Sequence, residues 1–479
     1  MSTKVASNKL GDLTQGPLFV KIIRYSLPII ATGLLQTFYN ASDMIVVGNF
    51  SDVGATAMGA VGACGALINL ILNLFIGLAV GTGVCVAQEF GGGRYDDLKK
   101  TIHTSLLASI IGGIAVGLFG FFMARPLLTL MGTPEATLNE AVPYMKAYFV
   151  GVPAAMVYNF MAAAIRSAGD TKRPLVILMI SGAVNVLLNL FLVLAFGMGA
   201  VGVGIATTVA QYISAIMILW HMIKRGGYCS INREDMQIDK RKLMRIVSIG
   251  IPAGLQSMLF SLSNVLIQST VNTYGATVVD GNAAAGNIEG FVYIGMNSMY
   301  HAALTFTGQN VGAGQYKRIG KILAECMAIV AFIGLVLGLS GYIFGDTLLK
   351  IYAPNDAAVR AAGVNRLGVI CALYFLCGLM EVGCGVLRGM GKSLPPMIIS
   401  LLGSCVFRIL WIYTVCPIFP GNISVLYLSY PISWVITTVA YLVASKFAYK
   451  QIVERTNRCR NHDDFFECMR DDSKAEAKS

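Results

Sequence analysis

The sequence predicts an all-α integral membrane protein with twelve transmembrane helices in two parallel six-helix repeats. Of the 479 residues, 56% are apolar and only 13% are charged, and the mean hydropathy is +0.67. Apolar runs of about 20 residues, the length of a helix that crosses a bilayer core, recur along the chain. Two motifs occur twice, once in each half of the chain. This composition excludes an ordinary soluble enzyme.

Short polar or glycine-rich segments separate the apolar runs. The predicted spans are 24–48, 56–88, 100–123, 140–165, 174–197, 200–223, 244–273, 282–311, 320–343, 359–387, 395–417 and 423–446. The predicted domains are an N-terminal tail with an amphipathic segment (1–23), an N-lobe (24–223), a basic linker (224–245), a C-lobe (246–446) and a C-terminal tail (447–479). From Gln451 onward the tail is poor in apolar residues, which predicts disorder.

The distribution of basic residues predicts the orientation. The formal net charge is +11, and among the loops of one side only Arg125, Lys350 and Arg360 are basic. The tails and the remaining loops hold most of the other Lys and Arg residues, so we expect both termini in the cytoplasm, in the cell (inner) membrane. The basic loops indicate a lipid surface as their partner and no nucleic acid. The eleven cysteines lack a metal-like spacing, so no metal site is expected.

Two pairs of matching motifs show that the halves are repeats. The sequence QEFGGGRY at 88–95 matches QNVGAGQY at 309–316, and RSAGDTKRP at 166–174 matches RGMGKSLPP at 388–396. The first motif follows the second span of each half, and the second motif follows the fourth span. Each half has an even number of spans, six, so both halves start on the same side of the membrane and the repeats are parallel. We expect the arginines of the second pair to contact lipid headgroups or to cap carbonyls. The structural positions of the repeat are Pro28, Arg166, Gly169, Arg388 and Gly391, with Pro252 matching Pro28.

The motif R-x-x-G-x-S/T-x-x-P after each fourth span, with a first span that reads LP…QTFYNASD…G over 27–48, resembles the multidrug and toxic compound extrusion (MATE) family. The resemblance covers nearly the whole chain. Within the family the chain is most similar to the bacterial branch of DNA-damage-inducible F (DinF-like) proteins. The NorM-type branch has acidic residues in its seventh and tenth helices, where this chain has Phe260 and Cys377.

The resemblance implies two six-helix lobes around a central cavity. It also implies export of organic cations or amphiphiles in exchange for protons or sodium ions, without a cofactor. The sequence contains neither a P-loop nor a zinc-protease motif, so we expect a transporter rather than an enzyme. We expect it to act as a monomer.

Asp43 is the first candidate for ion coupling. It lies within the first span, where a carboxylate costs roughly 3 kcal/mol or more. Desolvation favours its neutral form, so such a group can take up a proton on one side and release it on the other. Gln36, Tyr39 and Asp43 share one helix face because they are spaced i, i+3, i+7. The alternative is that Asp43 lies at the outer interface near Gly48 and is solvated.

Asn185 and Asn189 form a polar stripe on the fifth span at i, i+4. Their carbonyl oxygens suit sodium or a proton-linked hydrogen-bond network. The family's pattern has Asp at the second position, so Asn189 leaves Asp43 as the acid of this site. By resemblance, Tyr39, Tyr144 and Thr207 complete the cluster. The alternative is that the two amides only join helices by hydrogen bonds.

The second half supplies most of the candidate residues of the substrate cavity. Buried opposite charges tend to pair, which makes Glu381 and Arg408 a candidate pair, either as a bridge that stabilises the lobe or as a group that binds a cationic substrate. His301 is a candidate proton shuttle or a hydrogen bond between helices. The candidate cavity residues are Gln36, Gln256, Glu289, His301, Glu381 and Arg408.

Two other functions compete with multidrug export. A flippase of lipid-linked precursors would keep the fold but needs a strongly basic cavity, whereas only Lys146, Arg366 and Arg408 lie in or beside the spans. A passive channel would need no coupling group. The repeat and the intramembrane acids favour a carrier, although fold alone does not establish function.

Overall fold

The computed structural model describes residues 11–50, 54–232 and 234–459, and these residues form helices joined by short turns. The helices are α1 (Leu18–Phe50), α2 (Gly54–Gly91), α3 (Tyr95–Leu130), α4 (Glu135–Ser167), α5 (Lys172–Phe196), α6 (Gly199–Arg225), α7 (Lys240–Asn272), α8 (Ala276–Gly312), α9 (Lys317–Ile343), α10 (Gly345–Leu349), α11 (Ala357–Arg366), α12 (Tyr374–Gly389), α13 (Leu394–Ser400), α14 (Phe407–Thr414) and α15 (Ile423–Cys459).

These helices make the twelve predicted spans. Ten helical stretches of the described chain are long and apolar enough to cross a membrane, and the bent pair α11 and α12 makes the eleventh. The remaining span, α8, is long enough but less apolar than the others, since polar residues, among them Asp280, Asn282 and Glu289, occur along it. Its buried face contacts α2, α9 and α12, so protein rather than lipid surrounds much of it. The all-helical, twelve-span fold is confirmed.

Two spans of the C-lobe are interrupted by π-helical turns. In the tenth span, Leu367–Cys371 forms such a turn between α11 and α12, which meet at an angle of 43°. In the eleventh span, Leu401–Val406 forms another between α13 and α14. Such turns often occur where a helix serves a functional site. Neither interruption was predicted.

The repeated motifs of the two halves pack against each other. Gly91 lies directly against the backbone of Gln309, and Gly312 lies against the backbone of Gln88 in the reciprocal arrangement. A Cβ atom at either glycine would overlap the facing carbonyl oxygen. The two second-span motifs therefore meet at the pseudo-two-fold axis, as expected for parallel repeats.

The second pair of motifs forms the same turn in both halves. Gly169 (φ +93°) and Gly391 (φ +82°) have left-handed backbone, which only glycine adopts without cost. Their N–H groups each donate 2.8 Å to the carbonyl oxygen three residues before, those of Arg166 and Arg388. These glycines thus end the fourth span of each half and turn the chain into the fifth.

The side of the protein that holds residues 11–17, the segment between α6 and α7 and the end of α15 is here called the basic face. At this face, contacts join the N-lobe to the C-lobe. The Lys242 ammonium of α7 lies 2.7 Å from buried Glu89 and 3.0 Å from Asp97. Arg245 donates to Gln88, which donates 2.8 Å to the carbonyl oxygen of Gly389.

An N-terminal segment, residues 11–16, lies across the basic face, where the two lobes are joined. The Leu13 N–H donates 3.0 Å to Gln309 Oε1 in the C-lobe, and Gln309 Nε2 donates 2.8 Å to the carbonyl oxygen of Ser167 in the N-lobe. Away from the basic face, the last hydrogen bond between the lobes in the described part of the chain joins Asn73 to Ser261, near the middle of α2 and α7. The lobes are therefore joined from the basic face to about half their height.

Replacing Gly312 by Val should prevent this closure, because the new side chain would overlap the Gln88 backbone, which cannot move as a flexible side chain does. We expect the variant to fold, since the N-lobe core and most of the second core lie within a single lobe, and to lose amide hydrogen-exchange protection across residues 11–16. Gly286→Val is the matched control on the same helix, where nothing lies within 4 Å of the added Cβ. Unchanged protection in Gly312→Val would contradict this account of the closure.

The ends of the helices differ from the predicted boundaries. The first helix begins at Leu18, so part of the predicted N-terminal tail belongs to it, and α7 begins at Lys240, within the predicted linker. The predicted disorder from Gln451 was wrong for the first residues, because α15 continues to Cys459. The rest of that tail, 460–479, and the first ten residues lie outside the described residues.

Candidate functional site

Asp43 lies deep along the first helix. It follows Leu18 by 25 residues, about 38 Å along the axis, and α1 continues beyond it to Phe50. Its side chain is half-buried on the face of α1 that packs against α5. Asp43 therefore belongs to the half of the protein away from the basic face, where the lobes part. It is not simply a solvated residue beyond the end of a span.

The carboxylate of Asp43 is held by amides and not by a cation. Asn189 Nδ2 donates 2.5 Å to its Oδ1. The Asn185 amide is fully hydrogen-bonded when its nitrogen donates to the same oxygen of Asp43 at 3.1 Å. Its own oxygen then accepts a hydrogen bond from the Thr207 hydroxyl at 3.3 Å. No Lys or Arg of the described chain lies within ion-pair distance of Asp43. Neutral donors thus compensate this charge.

The sequence of α5 explains this arrangement. Asn185 and Asn189 lie one turn apart, so both amides face α1, and both side chains are buried (5% and 0% exposed). Gly182, one turn earlier, lets the Tyr39 ring of α1 lie directly against the backbone of α5. The small residue therefore brings the two helices close enough for the amides to reach the carboxylate. The Oδ1 atom of Asn189 is buried and has no partner among the described residues.

The two tyrosines predicted for this cluster lie beside it but do not contact the carboxylate. The Tyr39 hydroxyl donates 3.4 Å to the carbonyl oxygen of Met179 on α5. Tyr144 is buried, with its ring centroid 6.5 Å from that of Tyr148, and no hydrogen bond of its hydroxyl is found within the described chain. The structure thus brings together Asp43, Asn185, Asn189 and Thr207, with the tyrosines as neighbours.

In the C-lobe, a buried ion pair joins α8 to the tenth span. Arg366 Nε and Nη2 each lie 2.8 Å from an oxygen of Glu289, and Nη1 donates 2.6 Å to Asn282 Oδ1. The guanidinium also lies over the Tyr427 ring, 5.4 Å from its centroid. Glu289 is 6% exposed, so it is buried within the C-lobe in this conformation and does not line an open cavity.

Glu381 and Arg408, the candidate ion pair, do not contact each other as an ion pair in the described part of the chain. Glu381 lies near the Arg388 guanidinium and the Tyr293 hydroxyl. Arg408 donates 2.9 Å to the Ser433 hydroxyl and lies 4.1 Å above the centroid of the Tyr430 ring. Arg408 is only 3% exposed, so its charge is stabilised by a hydroxyl and a ring face inside the lobe.

The expected headgroup contact was wrong for Arg388. Its side chain is 6% exposed and points into the C-lobe, where Nη1 donates 2.6 Å to the Tyr300 hydroxyl and Nη2 donates 2.9 Å to Gln256 Oε1. Gln256 in turn donates 2.9 Å to the Ser400 hydroxyl, which joins α7 to the eleventh span. The repeat motif therefore supplies a buried cross-link of the C-lobe at this position.

Two other predicted cavity residues remain without a hydrogen bond in the described chain. His301 is half-buried beside Tyr300, with ring centroids 5.0 Å apart. Gln36 is exposed on α1, in the same region as the exposed Phe38, whose ring lies 6.4 Å from that of Phe291 across the lobe boundary. Phe38 therefore lies at the boundary between the lobes, and Gln36 is exposed near it.

Sequence reasoning missed the roles of Arg366, Asn282 and Tyr427. Arg366 was assigned to the edge of a span without a partner, although a lone arginine between apolar residues is a signal for a buried acid. Within the part of the chain that the structure describes, no group of His, Cys, Asp and Glu residues could hold a metal ion.

Known proteins resemble this chain along nearly its whole length. The family model described as MatE matches residues 28–191 and 252–414, one match in each repeat. The probable multidrug resistance protein YpnP of Bacillus subtilis is 29% identical over 84% of this chain and 89% of its own length. The probable multidrug resistance protein YoeA of the same organism is 25% identical over 79% of this chain and 82% of its own.

A solved structure shares the fold. It is described as the outward-facing conformation of a multidrug resistance MATE family transporter of the MOP superfamily, and it superimposes with a TM-score of 0.86. The match covers 95% of this chain and all of that one at 19% identity. The two-lobe, twelve-span architecture and the paired family matches lead to one conclusion: this chain belongs to the MATE family of membrane transporters and is not an enzyme.

Proposed function

We propose that this protein is a secondary-active multidrug efflux transporter that exports organic cations or amphiphiles by alternating access, in exchange for protons or sodium ions. The observation that supports this most directly is the half-buried carboxylate of Asp43, held by neutral amides in the half of the molecule where the lobes part. The names of the relatives YpnP and YoeA, both probable multidrug resistance proteins, support the substrate class.

The orientation follows from the basic face, which we propose to be cytoplasmic in the cell membrane. The lobes are joined at that face, so the arrangement corresponds to an outward-facing state. We also propose that the protein acts as a monomer and belongs to the DinF-like branch. The assignment to the DinF-like branch is supported by the position of the coupling acid in the first half of the chain and by Phe260 and Cys377 at the NorM-type acidic positions.

The proposed coupling begins with ionised Asp43. In this state the amides of Asn185 and Asn189 direct their N–H groups toward the carboxylate, and such charge-assisted bonds are about twice as strong as neutral ones. They hold α1 against α5 near the opening between the lobes. Ionised Asp43 thus fixes the part of α1 that lies away from the basic face.

Proton uptake from the outside would remove this constraint. A protonated carboxyl needs an acceptor, and the buried, unpartnered Oδ1 of Asn189 supplies one if its amide rotates. The neutral hydrogen bonds that remain hold α1 less strongly. Because Pro28 removes one backbone hydrogen bond from the helix, α1 can bend there and repack as the lobes rock.

Sodium is the alternative coupling ion. It would need several converging oxygen ligands. The carboxylate of Asp43, the Asn185 and Asn189 carbonyl oxygens and the Thr207 hydroxyl could supply them after both amides rotate. With a single carboxylate, the site favours protons.

Efflux from proteoliposomes tests this proposal. We expect a fluorescent organic cation to leave liposomes that contain the purified protein when a pH gradient is imposed, and an equal sodium gradient without a pH gradient to have little effect. Flux that follows only the sodium gradient would reverse the choice of ion. If neither gradient drives flux, the export proposal fails and flipping of lipid-linked precursors becomes the better hypothesis. Flux that ignores every gradient indicates a channel.

A further inference from the structure

A cavity of about 890 Å³ opens on the basic face of the N-lobe, apart from the Asp43 site. Its walls are the N-terminal segment with the start of α1, the turn between α4 and α5, and the end of α6 with the turn that follows. The cavity is large enough for a phosphorylated small molecule or a phospholipid headgroup. The transport mechanism proposed above does not use it.

The charge of this cavity is strongly one-sided. Six basic residues line it, and Asp170 is the single acidic one. Asp170 is already occupied, because Arg173 Nε lies 3.0 Å from its Oδ2 and the N–H groups of Lys172 and Arg173 donate to its Oδ1. Within the described chain, five of the lining cations have no acidic partner. One of the five, Lys21, donates to the backbone carbonyl oxygens of Asp12 and Gln15. The other four are Arg24, Lys99, Lys172 and Arg225.

These four cations come from four different helices, α1, α3, α5 and α6, and line the same open cavity. The positive-inside rule explains why basic residues lie on this face, but it does not require them to surround a cavity. Like charges placed together repel one another, which destabilises the empty arrangement. A bound anion would remove that cost.

Part of the cavity wall is aromatic. The rings of Tyr95 and Tyr228 are stacked, with centroids 4.2 Å apart and planes 15° apart, and Phe90 contacts Tyr228 edge-on at 5.9 Å. A wall of this kind accepts an apolar or planar portion beside a charged group. The cavity therefore suits an anion that is joined to a larger body better than it suits a small free ion.

The N-terminal segment connects this cavity to the closure of the lobes. Gly11 packs against the backbone of Ala168 and Gly169 in the turn between α4 and α5. Two residues later, the Leu13 N–H binds Gln309 of the C-lobe. Lys21 of α1 donates to the carbonyl oxygens of Asp12 and Gln15 in this segment. A ligand that joins Arg24 to the cations of α5 and α6 would therefore hold the start of α1 and, through Lys21, the segment in place.

We propose that this cavity binds a phosphate-bearing anion and that its occupancy stabilises the conformation in which the lobes are joined at the basic face. Phosphate is favoured because several arginines and lysines can surround its oxygens at once. An anionic lipid headgroup and a soluble phosphate ester share this chemistry. The inference does not depend on which substrate is exported or on the coupling ion.

Binding is tested on the full-length protein in nanodiscs, with two arms. In the first arm the discs contain only phosphatidylcholine, and inorganic phosphate or ADP is titrated. In the second arm the discs contain increasing phosphatidylglycerol. The readout is the midpoint of thermal unfolding as a function of ligand concentration. We expect a saturable rise in at least one arm, and the arm that responds identifies the source of the phosphate.

The triple variant Arg24→Gln/Lys172→Gln/Arg225→Gln should weaken this response on the order of a hundredfold, since each lost charge near an anionic group costs about fivefold. All three side chains are exposed, so the variant should fold, which its unfolding midpoint without ligand checks. The matched control is Lys240→Gln/Lys317→Gln/Lys446→Gln, three exposed lysines of the basic face outside the cavity. Equal weakening in both variants, or no saturable response in either arm, would overturn the site.

Hydrogen exchange tests the conformational part. Ligand should slow exchange of the backbone amides in residues 11–16, including the Leu13 N–H that binds Gln309, and should not do so in the cavity variant. Binding without any change in this segment would reject the link between the cavity and the closure of the lobes.

Discussion

Asp43→Asn is expected to reduce gradient-driven efflux to the level of protein-free liposomes. The substitution keeps the size and polarity of the side chain but removes the only group at this site that can gain or lose a charge. Helix α1 would then be held in the manner of the protonated state at every pH. The measurement is flux of a fluorescent organic cation in proteoliposomes under an imposed pH gradient, with equal amounts of folded protein.

The variant should still fold and bind its substrate, which separates lost coupling from lost structure. The amides of Asn185 and Asn189 keep a polar partner, so the stability should change by only about 1 kcal/mol. Asp280→Asn is the matched control, because Asp280 is an exposed carboxylate near the start of α8, at the same end of the protein. Gradient-driven flux that survives in Asp43→Asn would remove Asp43 from the mechanism.

The spans and the repeat could be predicted because they depend on short-range patterns. A bilayer requires about 20 apolar residues per helix, and the second-span glycine motifs recur where two backbones meet at the symmetry axis. Gly91 and Gly312 illustrate this, since each has to be small to let the facing carbonyl approach. The candidate coupling site was accessible for the same reason: helical spacing alone places Asn185 and Asn189 on one face.

The ion pairs of the C-lobe could not be predicted, because pairing depends on how each helix is rotated and bent. Arg366 lies immediately before the π-helical turn of the tenth span, and the sequence of that turn contains no proline that would predict it. An extra residue in a helical turn rotates everything that follows relative to a regular helix. The turn therefore changes how Glu381, which follows it, is oriented relative to Arg366, which precedes it. In the structure Arg366 pairs with Glu289, whereas the sequence suggested that Arg408 pairs with Glu381.

The polarity of α8 was equally difficult to interpret. By composition alone α8 falls short of a transmembrane helix, yet its acidic residue Glu289 is neutralised by Arg366 and its Asn282 accepts a hydrogen bond from the same guanidinium. A buried polar residue is tolerated in a membrane only when its partner is present. The partner lies 77 positions away in the chain, so no local pattern reveals it.

Removal of that partner gives the second large expected effect. Arg366→Met leaves the Glu289 carboxylate buried and unpaired, which costs about 3 to 5 kcal/mol in comparable buried pairs. We expect the midpoint of thermal unfolding to fall by roughly 5 to 10 °C. A thiol-reactive fluorophore provides the readout, because the eight buried cysteines of the described chain, among them Cys371 in the adjacent π-helical turn, become accessible as the protein unfolds.

The double variant Arg366→Met/Glu289→Leu should recover most of the loss, because two apolar side chains need no compensation, whereas one buried charge does. Arg360→Met is the control on the same helix. Its partner Asp346 lies outside the spans and is 57% exposed, and the Arg360 hydrogen bond holds the Asp346 pKa below its ordinary value. Arg360 also donates to the carbonyl oxygens of Ala353 and Pro354, but no buried charge is left unpaired when it is removed, so a smaller shift than for Arg366→Met is expected. If the single and double variants unfold at the same temperature, the loss reflects packing around Arg366, and the buried charge of Glu289 is not its cause.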